Sequence, residues 1–207
     1  MIGAFKRCLD AEYVHTTCGG DYAIQVDGGA LYVLFEWSDG KEDWLNNLDF
    51  PVKPYKNMET TWMCHGGFLR VWKAMQDEVL SVVSATLAEH EEVEFIGCIG
   101  YSHGAALAVL ATESLTYTFG DHYYIYGYGF GAPRVLWGKV PNEVKQRLRR
   151  FTTVRVVPDI VTHVPPKCLG FKHAGIMFEL GRGSKYGPVK AHFPEVYEHE
   201  LTKLFGG

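Results

Sequence analysis

Apolar positions along the chain follow two rhythms. Tyr22 to Val26 and Leu31 to Phe35 are short apolar or aromatic runs on either side of Asp27-Gly28-Gly29, and they read as two strands of a hairpin. Ser38-Asp39-Gly40 ends the second run, Lys41 to Leu48 reads as a short helix exposing Trp44, Leu45 and Leu48, and Pro51 and Pro54 bound a loop. The period then changes. Phe68, Val71, Trp72, Met75, Val79, Val82, Val83 and Leu87 recur at spacings of three and four, with Lys73, Gln76, Asp77 and Glu78 between them, which predicts an amphipathic helix.

Strand and helix patterns alternate from there on. Val93 to Ile99 is an apolar strand, Ala105 to Tyr117 a small-residue helix, and Tyr123 to Gly129 an aromatic strand. Pro141 to Arg149 is helical, Phe151 to Val157 is β-branched, Gly175 to Leu180 reads as a further strand, and a helix from Pro194 to Phe205 follows. Near-continuous apolar strands alternating with helices imply a mostly parallel sheet covered on both faces. With neither a linker-like segment nor a repeat, residues 1–207 read as a single α/β domain.

Composition narrows the class. Apolar residues make up 47% and charged residues 21% of 207, which disfavours long disorder. A net charge of −4 offers no basic footprint for nucleic acid. The five cysteines, Cys8, Cys18, Cys64, Cys98 and Cys168, are odd in number and form no C-x-x-C pair, so neither a disulfide framework nor a metal site is expected. Charged Lys6, Arg7, Asp10 and Glu12 leave no apolar stretch for a leader, and with the unpatterned thiols this predicts a cytoplasmic protein. Phe95 to Thr112 carries no formal charge over 18 residues, but Gly97, Gly100, Ser102, His103 and Gly104 break its middle. A transmembrane segment is therefore not expected, and a buried strand, turn and helix are.

That turn carries the chemistry. Gly100-Tyr101-Ser102-His103-Gly104 is G-x-S-x-G with a strand before it and a helix after it, the context in which the motif presents a nucleophile. A serine there projects its hydroxyl over the sheet edge, and the free N–H groups of the helix start suit a developing oxyanion. A serine nucleophile needs a base, and the base an orienting acid. Asp159 lies just past the second strand after the nucleophile, where parallel sheets place functional loops, whereas Asp121 precedes its strand and belongs at the opposite edge. Of the histidines after Asp159, His163 is too near it and His199 lies within the last helix. His173 and His192 remain, and spacing does not choose between them.

From about residue 22 to 200 the chain resembles the class 3 (fungal-type) lipases. Phe35-Glu36-Trp37-Ser38 resembles the family's F-R-G-[ST], and Asp43-Trp44-Leu45-Asn46-Asn47-Leu48 its D-W helix. His65-Gly66-Gly67-Phe68 matches H-x-G-F, Gly100 to Ala108 the G-H-S-L-G-G-A-L-A elbow, and Phe130-Gly131-Ala132-Pro133-Arg134 matches F-G-x-P-R. Val154 to Pro165 resembles the block around the family's aspartate, Lys172-His173-Ala174-Gly175 echoes Y-x-H-x-G, and His192 to Tyr197 the terminal H-x-x-Y.

The resemblance implies an α/β-hydrolase-type fold, a Ser102-Asp159-His192 triad, and no cofactor or metal. It also implies oxyanion donors at the backbone N–H groups of Ser38 and His103, structural roles for His65 and His173, and a lid at the helix holding Trp44, Leu45 and Leu48, for which the residues themselves equally allow a permanently docked surface helix with Trp44 as core filler. Three departures stand out: Glu36-Trp37 in place of Arg-Gly, His103 in place of leucine, and a longer spacing from the terminal histidine to tyrosine. The short N-terminal region fits a minimal intracellular version of the family.

The expected activity is serine hydrolysis of carboxylic esters, with an ester or lipid substrate and transient contact with a lipid interface. The competing readings are a non-catalytic lipase-like binding protein, favoured by Glu36-Trp37, and a serine hydrolase acting on a thioester or peptide.

Overall fold

A computed structural model describes residues 1–17, 19–36, 51–57 and 60–206. In chain order the elements are α1 (Ile2–Leu9), β1 (Tyr22–Asp27), β2 (Ala30–Phe35), β3 (Val52–Asn57), β4 (Thr60–His65) and α2 (Gly66–Glu89). There follow β5 (Phe95–Tyr101), α3 (His103–Phe119), β6 (Tyr124–Phe130), β7 (Leu136–Trp137) and α4 (Asn142–Arg147). The last are β8 (Phe151–Val156), β9 (Phe171–Lys172), β10 (Ile176–Leu180) and α5 (Pro194–Phe205), with a 3-10 turn at Ile160–His163 and another at Lys190–His192. The Lys41–Leu48 helix expected from the sequence lies outside the described residues.

A six-stranded sheet runs in the order β1-β2-β5-β6-β8-β10. Only the β1–β2 pair is antiparallel. Gly28 and Gly29 turn that hairpin with φ of +56° and +76°, the two positive values a type I′ turn requires. The sheet is covered on both faces, as its apolar strands predict. On β5, Ile96 and Cys98 join a core with Trp72, Met75 and Val79 of α2, Leu107 of α3 and Val144 of α4. Ile99 and Tyr101 point the other way, into a second core with Phe5 of α1 and Val196, Tyr197 and Leu201 of α5. The period-2 alternation of one strand thus feeds both layers.

Helix α3 is apolar nearly all round, and Ala105, Ala106, Ala108 and Ala111 are fully buried. Small residues let it lie close against the sheet, which fixes the turn at its N-terminus. Its Glu113, also fully buried, accepts from Arg147 Nε of α4 (2.7 Å) and Asn57 Nδ2 of β3 (2.8 Å). Burial pushes the Glu113 carboxyl upward in pKa, against the pull of Arg147.

Two features depart from the sequence expectation. The Pro51–Pro54 segment enters a strand, β3, instead of a loop. β3 is the edge of a second, antiparallel sheet ordered β3-β4-β7-β9, and an edge strand tolerates Pro54 because its missing N–H need not serve an inner ladder. Helix α1, only eight residues long, packs Phe5 against Tyr101, Phe130 and Tyr197. The uncharged stretch Phe95–Thr112 divides between β5 and α3. No helix among the described residues is long and apolar enough to cross a membrane.

Candidate active site

Ser102 leaves β5 with φ 55° and ψ −120°, the only positive-φ residue other than glycine among the described residues. Such a torsion costs on the order of 1–3 kcal/mol, so the surroundings must hold it. They do so through close backbone approach. A Cβ on Gly100 would stand 2.2 Å from the Gly104 carbonyl oxygen, and one on Gly104 would stand 2.3 Å from that of Phe35 and 2.5 Å from that of Glu36. The glycines of the G-x-S-x-G motif are therefore demanded by contact, and the second one presses the elbow against the end of β2. The Ser102 N–H donates to Phe130 O at the end of β6 (2.9 Å).

Asp159 follows β8 at the same sheet edge and is fully buried. Burying a carboxylate is costly unless donors surround it, and here three do. Val161 N–H donates to Oδ1 (2.9 Å), while the Tyr197 hydroxyl (2.5 Å) and the His192 ring (Nδ1, 2.8 Å) share Oδ2. Burial first, and Asp159 second, raise the Tyr197 phenol well above its ordinary value, so it stays a donor.

His192 closes the chain of contacts. Its Nε2 lies 2.9 Å from Ser102 Oγ. Since an ionised carboxylate only accepts, Nδ1 carries the proton toward Asp159 and Nε2 is left to accept from the serine hydroxyl. The ring stacks on Tyr101 at 5.2 Å with the planes 19° apart, and the Tyr101 hydroxyl donates to the His192 carbonyl. Gly131, at φ +60°, leaves room for it: a Cβ there would lie 3.0 Å from His192 Cε1.

The other described candidates take no part in this chain of contacts. His173 Nε2 bonds to Thr162 O (2.9 Å), and burial lowers its pKa to about 4 with help from Arg134. His199 lies within α5, and Asp121 lies between α3 and β6, at the far edge of the sheet from Ser102. His65 caps α2, its Nδ1 accepting from Gly67 N–H (3.1 Å). His103 opens α3, so its N–H has no intrahelical acceptor, as at any first turn. Burial, aided by His65, lowers its ring pKa to about 4, which keeps a neutral imidazole beside the elbow. Ser38, Trp44, Leu45 and Leu48 lie outside the described residues.

Sequence reasoning gave no role to Tyr101 or to the Tyr197 hydroxyl. The signal for Tyr197 was its place in the terminal H-x-x-Y block, although the chain does not show that it reaches the acid. Among the described residues, His15, Asp21 and Glu36 bring one ligand atom each within 4.8 Å of one another, but His15 is exposed and already bonded to Asp21 (2.6 Å).

The six-stranded sheet with this strand–elbow–helix turn is an α/β-hydrolase architecture. The family model for lipase (class 3) matches residues 32–168, about two thirds of the chain. The chain belongs to that family. Among curated relatives it is 29% identical to a lipase of Rhizomucor miehei over 155 residues, 70% of this chain and 40% of the relative. It is 27% identical to secreted mono- and diacylglycerol lipase 1 of Fusarium solani over 153 residues, 74% of this chain and 44% of the relative. It thus spans less than half the length of either. Among solved structures, lipase II of Rhizopus niveus shares the fold with a TM-score of 0.73 at 22% identity, over 86% of this chain and 67% of that one.

The expected cytoplasmic location is overturned by these relatives, since the Fusarium protein is a secreted enzyme. The three buried thiols do not speak against it. Burial raises Cys8 to about 11 and Cys64 and Cys98 to about 12, so these are inert packing groups in any redox compartment.

Proposed function

We propose that the chain is a serine hydrolase of carboxylic esters acting on lipid-like acyl substrates, with Ser102 as nucleophile, His192 as base and Asp159 as orienting acid. The observation that carries this reading is the His192 ring, which bridges Ser102 Oγ and Asp159 Oδ2 at 2.9 and 2.8 Å. Ser102 Oγ attacks the ester carbonyl carbon as its proton passes to His192 Nε2. The imidazolium is held by Asp159 and then gives that proton to the departing alcohol oxygen. Water hydrolyses the acyl-enzyme by the same sequence, with His192 again taking and returning a proton.

In this reading the His103 N–H at the start of α3 supplies one oxyanion donor, and the family resemblance implies Ser38 as the other. Residues 1–207 act as one unit in this reading, because α1 and α5 complete the core beneath His192.

A fluorophosphonate probe tests the assignment by mass shift. It should label Ser102 in the wild-type chain, label nothing in Ser102→Ala and react far more slowly in His192→Ala. Absence of labelling in the wild type would establish a non-catalytic lipase-like protein. Esters of increasing chain length, set against a thioester panel, then define the acyl bond.

A further inference from the structure

A cavity of about 380 Å³ opens between β7, α4 and the start of β10, away from Ser102. Leu136, Val140 and Leu148, all buried, line it together with Ile176, which is 63% exposed on the edge strand of the six-stranded sheet. Lys139, Lys145, Arg149 and Lys172 also line it, and all four are exposed. No Asp or Glu side chain is among its lining residues, in a chain whose net charge is −4. Among the described residues none of these four cations forms an ion pair, and Lys172 only donates to Gly138 O (2.7 Å).

An apolar lining with unpaired cations beside it matches a ligand with a long hydrocarbon tail and a single anionic head. The size suits it, since small-molecule pockets run from roughly 300 to 1,000 Å³. Ser102, Asp159 and His192 do not line it, although His173 on its wall bonds to Thr162 O in the turn that follows Asp159. Gly175 packs against the Phe151 carbonyl at the start of β8, whereas Asp159 lies past its other end. Five residues of strand at ~3.3 Å each put roughly 17 Å between them.

We infer that this cavity binds the carboxylate of a long-chain fatty acid, the tail on Leu136, Val140, Leu148 and Ile176 and the head among Lys139, Lys145 and Arg149. The inference deepens the ester-hydrolase reading, because cleavage of a long-chain ester releases this ligand. The cavity therefore holds product away from the site that makes it.

The test titrates sodium oleate, below its aggregation concentration, into protein whose serine has been blocked with fluorophosphonate, and in parallel into Ser102→Ala. Binding should persist in both. It should weaken roughly tenfold or more in Lys145→Glu/Arg149→Glu and in Ile176→Asp, all exposed positions, with melting temperatures showing that both variants fold. Butyrate, a head without a tail, and dodecyltrimethylammonium, a tail with the opposite charge, should bind far more weakly than oleate. Equal oleate affinity in wild type and both variants would overturn the inference, as would loss of binding when the fluorophosphonate adduct occupies Ser102, which would place oleate in the catalytic cleft. Binding to anionic vesicles without binding of monomeric oleate would overturn it in favour of a membrane-facing basic patch. Failure of the fluorophosphonate to label sinks the hydrolase reading alone, since the Ser102→Ala titration does not depend on it.

Discussion

Replacing Tyr197 by phenylalanine removes one oxygen atom from the buried layer behind His192. That oxygen donates to Asp159 Oδ2 at 2.5 Å and accepts from Val156 N–H at 3.2 Å, and the residue has no exposed surface. The ring remains packed against Phe5 and Tyr101, so no large cavity forms. A hydrogen bond to a charged group contributes about 1.5–3 kcal/mol, and a buried amide left unpaired costs about 1–3 kcal/mol. The longer of the two bonds belongs at the low end, giving an expected loss of about 2–4 kcal/mol. At roughly 2–4 °C per kcal/mol for a chain of this size, the melting temperature should fall by about 5–15 °C.

Turnover should suffer separately. Asp159 keeps Val161 N–H and His192 as donors, so its position is loosened, not abandoned. If about half of the lost bond is felt in the transition state, kcat falls roughly three- to tenfold. KM should hold, since Tyr197 does not reach the substrate side of His192. Calorimetry and ester hydrolysis on the same preparation measure both effects. A variant that melts and turns over like wild type would show that Tyr197 packs beside Asp159 without bonding to it.

Ser102→Ala should keep the wild-type melting temperature while losing all but a small residue of ester turnover, and His192→Ala should match that loss. A greater loss in His173→Ala, followed by the same assay, would transfer the base to His173. Gly104→Ala should separate β2 from the elbow, because its methyl would lie 2.3 Å from a backbone oxygen; we expect a stability loss of about 3 kcal/mol or more and loss of activity, and a stable active variant would refute the contact argument. His103 and His173 are both depressed to about 4 by burial, so the unfolded chain binds more protons between pH 4 and 6.5. Their neutral forms therefore cost nothing above about pH 6.5, and stability falls as pH drops through that window, by up to about 3 kcal/mol for each. Denaturant midpoints from pH 7 to 4 in His173→Gln should show a shallower fall than wild type, and an identical slope would deny His173 its part.

The sheet was legible because each of its strands carries a local period, and because G-x-S-x-G between a strand and a helix has few other uses. The end of α5 at Phe205 and the hairpin at Gly28-Gly29 were readable for the same reason: local residues decide them. What escaped depends on partners far away in the chain. β3 exists through pairing with β4, and its Pro54 reads as a loop until its edge position is known. α1 is two turns long, too short for periodicity to show, and is held by rings more than 90 residues away. Asp159 followed from counting strands, but choosing His192 over His173 needed the family pattern, because nothing local to either loop states which one reaches the acid. Tyr101 was invisible as a contributor, its sequence position marking it only as the neighbour of a serine.

That neighbour has a consequence for motion. Tyr101 precedes Ser102 in the chain, its ring lies against His192, and its hydroxyl holds the His192 main-chain carbonyl. A displacement of the His192 loop therefore drags the backbone that carries Ser102, and the two reacting groups travel together. Motion of that loop relative to the serine should then be small. Turnover should tolerate a loosened loop better than the loop's overall mobility would suggest, for as long as the phenol hydroxyl remains.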